Sequence, residues 1–250
     1  MFAGIGHAIG EHLGGPLGGV LGGLAGGAVG AITGTGAYTT HSNSLMAQQV
    51  PGIRNPGREG ATQIRHREYI GDVKGSSGFT IQYQLPLNAA QAITFPWMSN
   101  IARQFMQYQL NGVIFEFVST SGDATGANTG LGEIVMATNY DSVAPPFRNK
   151  QAMLNTVFST IAKPSRNLAH AIECSPNQTT IPLLYTRPNE QPPGTDVRMF
   201  DHGVFYLATS GNQVDGQTLG ELWVTYDVLL YKPLLGEGAA SDNVTAPLAT

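Results

Sequence analysis

The chain has 250 residues, of which only 12% are charged, and a formal net charge of −4; it lacks the global basicity that advertises a nucleic-acid-binding domain, and its charged share is about half the usual one. A single cysteine, Cys174, excludes an intrachain disulfide and any multi-cysteine metal site. No Lys or Arg precedes Arg54, so the basic start of a secretory signal is missing and an intracellular or virion protein is expected.

Residues 1–53 form the first of three compositional regions, a Gly-rich apolar arm with Glu11 as its one charged side chain. Gly6, Gly10, Gly14, Gly18, Gly22, Gly26, Gly30 and Gly34 follow one another at intervals of four. Residues 4–36 hold fourteen glycines, and each costs a helix about 0.8–1 kcal/mol relative to alanine, so this ladder is no stable helix in water. Packed in lipid or protein, the same spacing lets backbones approach closely. The twenty uncharged residues from Leu13 to Ile32 match the length that spans a bilayer. Two readings follow: a flexible inner arm, and an arm that is also membrane-active, with Gly14, Gly18, Gly22, Gly26 and Gly30 on its close-packing face.

Residues 54–233 carry nearly all the aromatics and charges, and residues 234–250 read as a loose, small-residue tail. "RHREYIGDV" is a first strand candidate. In "FTIQYQL" the residues Phe79, Ile81, Tyr83 and Leu85 alternate with polar ones, the period of a sheet with one wet face. "FPWMSNIARQFMQY" breaks the pattern: Trp97, Ile101 and Phe105 recur at helical spacing behind Pro96, which suits a first turn. The spacing predicts a helix with those three side chains inward. "GVIFEFVSTS" and "GEIVMATNY" are β-branched and aromatic runs, and a short helix is expected around Lys150 to Leu154. Leu168 to Cys174, "TIPLLY", "GVFYLATSG" and "GELWVTYDVLLYK" complete roughly eight strands. The last puts Leu222, Val224, Tyr226, Val228 and Leu230 on one face and Trp223 on the other. An all-β, eight-stranded antiparallel jelly-roll sandwich with short helices in its connections accounts for this pattern.

Catalytic chemistry finds no foothold. The six histidines are scattered without ligand spacing. "GLGEIV" lacks a third glycine, and neither a phosphate loop nor a nucleophile elbow is present. Glu116 and Asp227, inside strand patterns, read as solvated or edge carboxylates. Arg54, Arg58, Arg65 and Arg67 lie within fourteen residues, at the junction of arm and first strand. They are candidates for phosphate contact, against the plainer reading of solvated or ion-paired side chains, with Glu59 and Glu68 among them.

"HREYIGDV", "FPWMSNIARQFMQYQLNGVIFEFVSTSG", "LGEIVMATNYD", "KQAMLN" and "GELWVTYDVLLYKP" occur in that order. The ordered set resembles the shell (S) domain of tombusvirus-like icosahedral coat proteins, a lineage that includes plus-strand RNA viruses and circular single-stranded DNA viruses with a related capsid gene. The resemblance runs from about His66 to Pro233. It implies a viral capsid protein, located in the virion, that self-assembles as a large homo-oligomeric shell around an RNA or single-stranded DNA genome. The glycine ladder adds host membrane as a candidate partner, and no receptor is read from the sequence. Low charge agrees, since subunit contacts are depleted in Lys, Glu and Asp.

The chain departs from that family in three ways. Residues 1–53 hold no Lys or Arg where many relatives carry an arginine-rich arm, and the chain stops 17 residues after Pro233, so a shell without projecting domains is expected. The family also binds calcium between subunits at an aspartate-rich stretch. Here "NYDSVAPP" keeps Asp141 but has Ala144 and two prolines, while calcium takes six to eight oxygens. Asp141 therefore reads as a turn aspartate ahead of a calcium ligand, and no cofactor is expected. The residue pattern alone leaves a jelly-roll carbohydrate-binding protein open as the alternative function.

Overall fold

The computed structural model describes residues 52–54, 60–122, 132–188 and 190–234. The glycine ladder with Gly14, Gly18, Gly22, Gly26 and Gly30, Arg58, and all but the first residue of the expected C-terminal tail lie outside them. The described residues hold ten strands: β1 (Gly52–Arg54), β2 (Thr62–Lys74), β3 (Thr80–Pro86), β4 (Phe105–Ser119), β5 (Glu133–Asn139), β6 (Thr160–Ala162), β7 (Leu168–Ile172), β8 (Leu184–Tyr185), β9 (Val204–Ser210) and β10 (Thr218–Pro233). Two short helices, α1 (Met98–Ala102) and α2 (Lys150–Leu154), sit in the connections.

The strands pair antiparallel into two sheets. One runs β1-β2-β10-β4-β7 with β8 attached to β4, and the other runs β3-β9-β5-β6. Leaving aside the short β1 and β8, this is four strands facing four, and the chain crosses repeatedly between the sheets, as in a jelly roll. The expected count of eight is met with a different member. "TIPLLY" supplies only the two-residue β8, while Thr160–Ala162, which has no long alternating run, forms the edge strand β6 beside β5.

Alternation works where a strand has one wet face. In β10, Leu222, Val224, Tyr226, Val228 and Leu230 are all buried between the sheets, and Trp223 lies on the outer side with Tyr69 and Arg67. Gly220 is required at this strand's start: a Cβ there would stand 2.3 Å from the Val118 carbonyl and 2.5 Å from the Phe117 ring. Across the sandwich, Phe115 of β4 stacks on Phe205 of β9 with centroids 3.8 Å apart and planes 9° from parallel. In β3 the parity breaks. A bulge between Ile81 and Tyr83 sends Tyr83 and Leu85 to the main core, whereas Phe79 and Ile81 pack on a second apolar cluster with Val135, Ala137, Met153 and Tyr206. An inserted residue shifts every later side chain to the other face.

The helix expected from Trp97 to Phe105 is shorter, and its inward residues differ. Met98, Ser99 and Ala102 are the buried side chains of α1, while Trp97 and Ile101 pack only partly against the core. Phe105 belongs to β4, where it pairs with Pro233 of β10. From there Tyr108 and Leu110 lie opposite Leu230 and Val228. A long ladder with β10 outweighs one more helical turn. The second helix falls at Lys150–Leu154 as expected, its start capped by Asn149, whose Oδ1 accepts from the Ala152 N–H at 2.8 Å.

His170 of β7 joins the two sheets from inside. Its Nε2 lies 2.8 Å from Thr138 Oγ1 and its Nδ1 3.3 Å from Thr160 Oγ1. Burial lowers its pKa from 6.5 to about 4. The folded state thus keeps the ring neutral, whereas the unfolded chain takes up a proton near 6.5. Stability therefore falls as pH drops from about 6.5 to about 4, by roughly 3 kcal/mol in all from this group. Thermal melts from pH 7 to pH 4 should show His170→Gln losing less stability over that window than the native chain; parallel curves would mean the ring is not buried neutral.

Candidate functional site

The outer face of the larger sheet holds Arg65 and Arg67, two of the four arginines singled out for genome contact, and it divides them. β2 lies against β10 so that Arg65 is opposite Asp227 and Arg67 opposite Thr225. The Arg65 Nε donates to Asp227 Oδ2 at 2.7 Å, and its side chain is 60% exposed. Arg67 is different. Its side chain is 6% exposed and its Nε donates to Glu116 Oε2 at 2.9 Å, with Glu116 only 3% exposed. The guanidinium also lies 4.8 Å from the centre of the Trp223 ring, within cation–π range. Arg67 is thus a structural cation held between an acid and an aromatic, not open to phosphate. Glu116, read from sequence as solvated, is the buried partner; Asp227 is partly exposed and tied to Gln63 as well as Arg65. Arg54 is in β1 with its backbone opposite Gln63.

A second buried carboxylate organises the inner side of the same strands. Glu68 accepts from the backbone N–H groups of Trp97 at 2.5 Å and Met98 at 3.1 Å, and from the Tyr226 hydroxyl. It caps α1 from another strand, since no side chain of the local segment does so. Burial first, and then the neighbouring carboxylate, push the Tyr226 hydroxyl's pKa up, so it stays a donor. His66 sits edge-on to Trp97 with centroids 4.9 Å apart, and burial lowers its pKa.

In the connection between β3 and β4, Asn88 is fully buried. Its Nδ2 donates to the carbonyls of Tyr185 and Phe200, and its Oδ1 accepts from the N–H groups of Ala90 and Arg187. Arg187 in turn donates from Nε to Asp201 Oδ1 at 2.7 Å. The neighbouring crevice, lined by Tyr108, Cys174, Leu184 and His202, is water-sized. Cys174 is half-buried there and burial pushes its thiol up to about 11, so it behaves as a small apolar residue.

Asp141 serves a turn. Its Oδ1 accepts from the Val143 N–H at 3.2 Å, and its carbonyl accepts from the Ala144 N–H at 3.1 Å. Among the described residues no group of three or more His, Cys, Asp or Glu side chains is placed to hold a metal ion. The donors that this stretch offers within one chain do not fit calcium. What sequence reasoning missed are the pairs Arg67–Glu116 and Glu68–Tyr226, whose members lie 49 and 158 residues apart; a buried strand acid whose partner is that distant in the chain has no local signature.

Residues 34–235 match the family model described as viral coat protein (S domain). The capsid protein of Tomato bushy stunt virus (strain BS-3) is 26% identical over 179 residues, covering 70% of this chain and 42% of the relative. The chain thus spans less than half the length of that relative. Among solved structures, that of Tobacco necrosis virus superposes with a TM-score of 0.64 at 14% identity, over 82% of this chain and 98% of the other. The crystal structure of Cucumber Necrosis Virus gives 0.60 at 21% identity, over 71% and 58%. At these identities the two structures establish the jelly-roll fold.

The two arginines should separate in a stability measurement. Removing one member of a buried ion pair strands the other, at about 3–5 kcal/mol, whereas an exposed pair contributes at most about 1 kcal/mol. Arg67→Gln is expected to lower the denaturant midpoint sharply and Arg65→Gln hardly at all. Equal, small effects would show that Arg67 is solvated.

Proposed function

The chain belongs to the viral coat protein (S domain) family, and from that premise we propose that it is the shell-forming subunit of a small icosahedral virion, enclosing the genome through contacts between many copies. The observation that carries this reading is the extent of the S-domain match, 34–235, which takes in every described strand. The match tells against the jelly-roll carbohydrate-binding alternative. The role is structural, and no residue is assigned to catalysis. The expressed chain should form uniform closed particles in negative-stain microscopy and elute as a large species in light scattering. Only monomers or dimers across a range of pH and salt would refute it.

Genome contact is assigned to Arg54, Arg58 and Arg65, which leave Arg67 to its buried pair. Each neutralised phosphate releases counterions, so encapsidation through these residues weakens with salt. Gln at all three positions, with Arg67 retained, should lower the nucleic acid per particle and flatten its salt dependence while the shell still assembles. Unchanged content would return them to the ordinary surface. The glycine ladder, residues 1–53 with Gly14, Gly18, Gly22, Gly26 and Gly30, is proposed as an inner arm with a membrane-active role in entry. GxxxG packing in lipid supports that role, and release of dye from liposomes by the full chain reads it.

A further inference from the structure

The connection from α2 to β6 presents apolar groups to solvent on strained backbone. Val157 is 66% exposed, Phe158 60% and Ile161 47%. Phe158 has φ 62°, a left-handed conformation that is an outlier for a bulky residue and normally falls to Gly or Asn. The turn around it is well tied. The Ser159 N–H donates to the Thr156 carbonyl at 3.2 Å, Ser159 Oγ to the Leu154 carbonyl at 2.8 Å and Thr156 Oγ1 to the Ala152 carbonyl at 3.1 Å. Such strain persists where the surroundings over-determine it, and it gathers at functional sites.

The neighbouring strand is open as well. β6 ends its sheet and is hydrogen-bonded to β5 alone. Ile161 lies beside Val135, a member of the outer apolar cluster that α2 covers through Met153 and Leu154, so the exposed groups extend that cluster past its rim. From Gln151 to Ala162 no side chain is charged.

We infer that Val157, Phe158 and Ile161, with the free edge of β6, form a contact to a second copy of this chain across a two-fold axis. This rests on the shell-forming reading above and names one of its interfaces. A symmetric contact places each group near its own copy, which charges oppose and this uncharged stretch permits. A polyanion would meet only the lysines that bound the stretch, Lys163 and a Lys150 already paired with Glu133. A lipid surface would take the apolar side chains but leave the backbone groups of the β6 edge unsatisfied, whereas a second β6 satisfies both.

The test compares the full chain with Phe158→Gly and with Ile161→Thr. Glycine relieves the left-handed strain, so Phe158→Gly should melt no lower than the native subunit while the concentration needed for particle formation rises about tenfold or more, the scale of a lost interface anchor. Ile161→Thr, which keeps strand propensity, should raise it in the same direction. If the native chain assembles and both variants assemble at the same concentration, this contact is wrong and the coat reading stands. Unchanged assembly with loss of liposome binding in Phe158→Gly assigns the tip to membrane and overturns the contact too. A native chain that never assembles overturns both.

Discussion

Strand β10 is the member on which the sandwich depends. Its sixteen residues are hydrogen-bonded on both sides, to β2 and to β4, and five alternate side chains from Leu222 to Leu230 are buried facing inward. Each such side chain is worth roughly 1.5–3 kcal/mol when fully buried. β2 and β4 are not neighbours in the sheet, so the backbone ladder that joins the first and the middle part of the chain runs through β10, the last strand. The larger sheet is therefore incomplete until the chain is nearly whole.

That arrangement also explains where the few charges go. On the outer side of β10 a residue of β2 reaches one of β4, Arg67 with Glu116, and on the inner side Glu68 of β2 pairs with Tyr226 of β10 itself. Lys150 with Glu133, Arg187 with Asp201 and Arg198 with Asp196 repeat the economy elsewhere. Charges spent within the subunit leave uncharged surface for contacts between subunits, which is what a shell requires. The stretch from Gln151 to Ala162, proposed above as one such contact, carries no charge.

Glu68 shows how one side chain joins levels of the structure. A helix of five residues has nearly all its backbone donors unpaired, and α1 begins at Trp97 with no local cap. A carboxylate delivered from β2 accepts from the Trp97 and Met98 N–H groups and from the Tyr226 hydroxyl. The connection between β3 and β4 is thereby held on the sheet, with Met98 and Ala102 inside the core.

Much of the fold was legible from residue order. The alternation in β10, the β-branched and aromatic runs of β5 and β9, the helix at Lys150–Leu154 and the all-β class follow from local pattern and composition, and the ordered motifs carried the coat-protein resemblance. What periodicity could not reach is whatever depends on a partner distant in the chain. The 3.6-residue spacing of Trp97, Ile101 and Phe105 is real, but Phe105 went to a strand because β10 offered a ladder there. Phe79 and Ile81 changed clusters because β9 imposed a bulge on β3. Four arginines within fourteen residues looked like one patch, and strand register sent Arg65 to solvent and Arg67 into a buried pair. Side-chain alternation is written into neighbouring residues, whereas register, bulges and ion-pair partners are decided by strands that meet only after folding, and those meetings determine which charges pair within the sandwich and which stay at its surface.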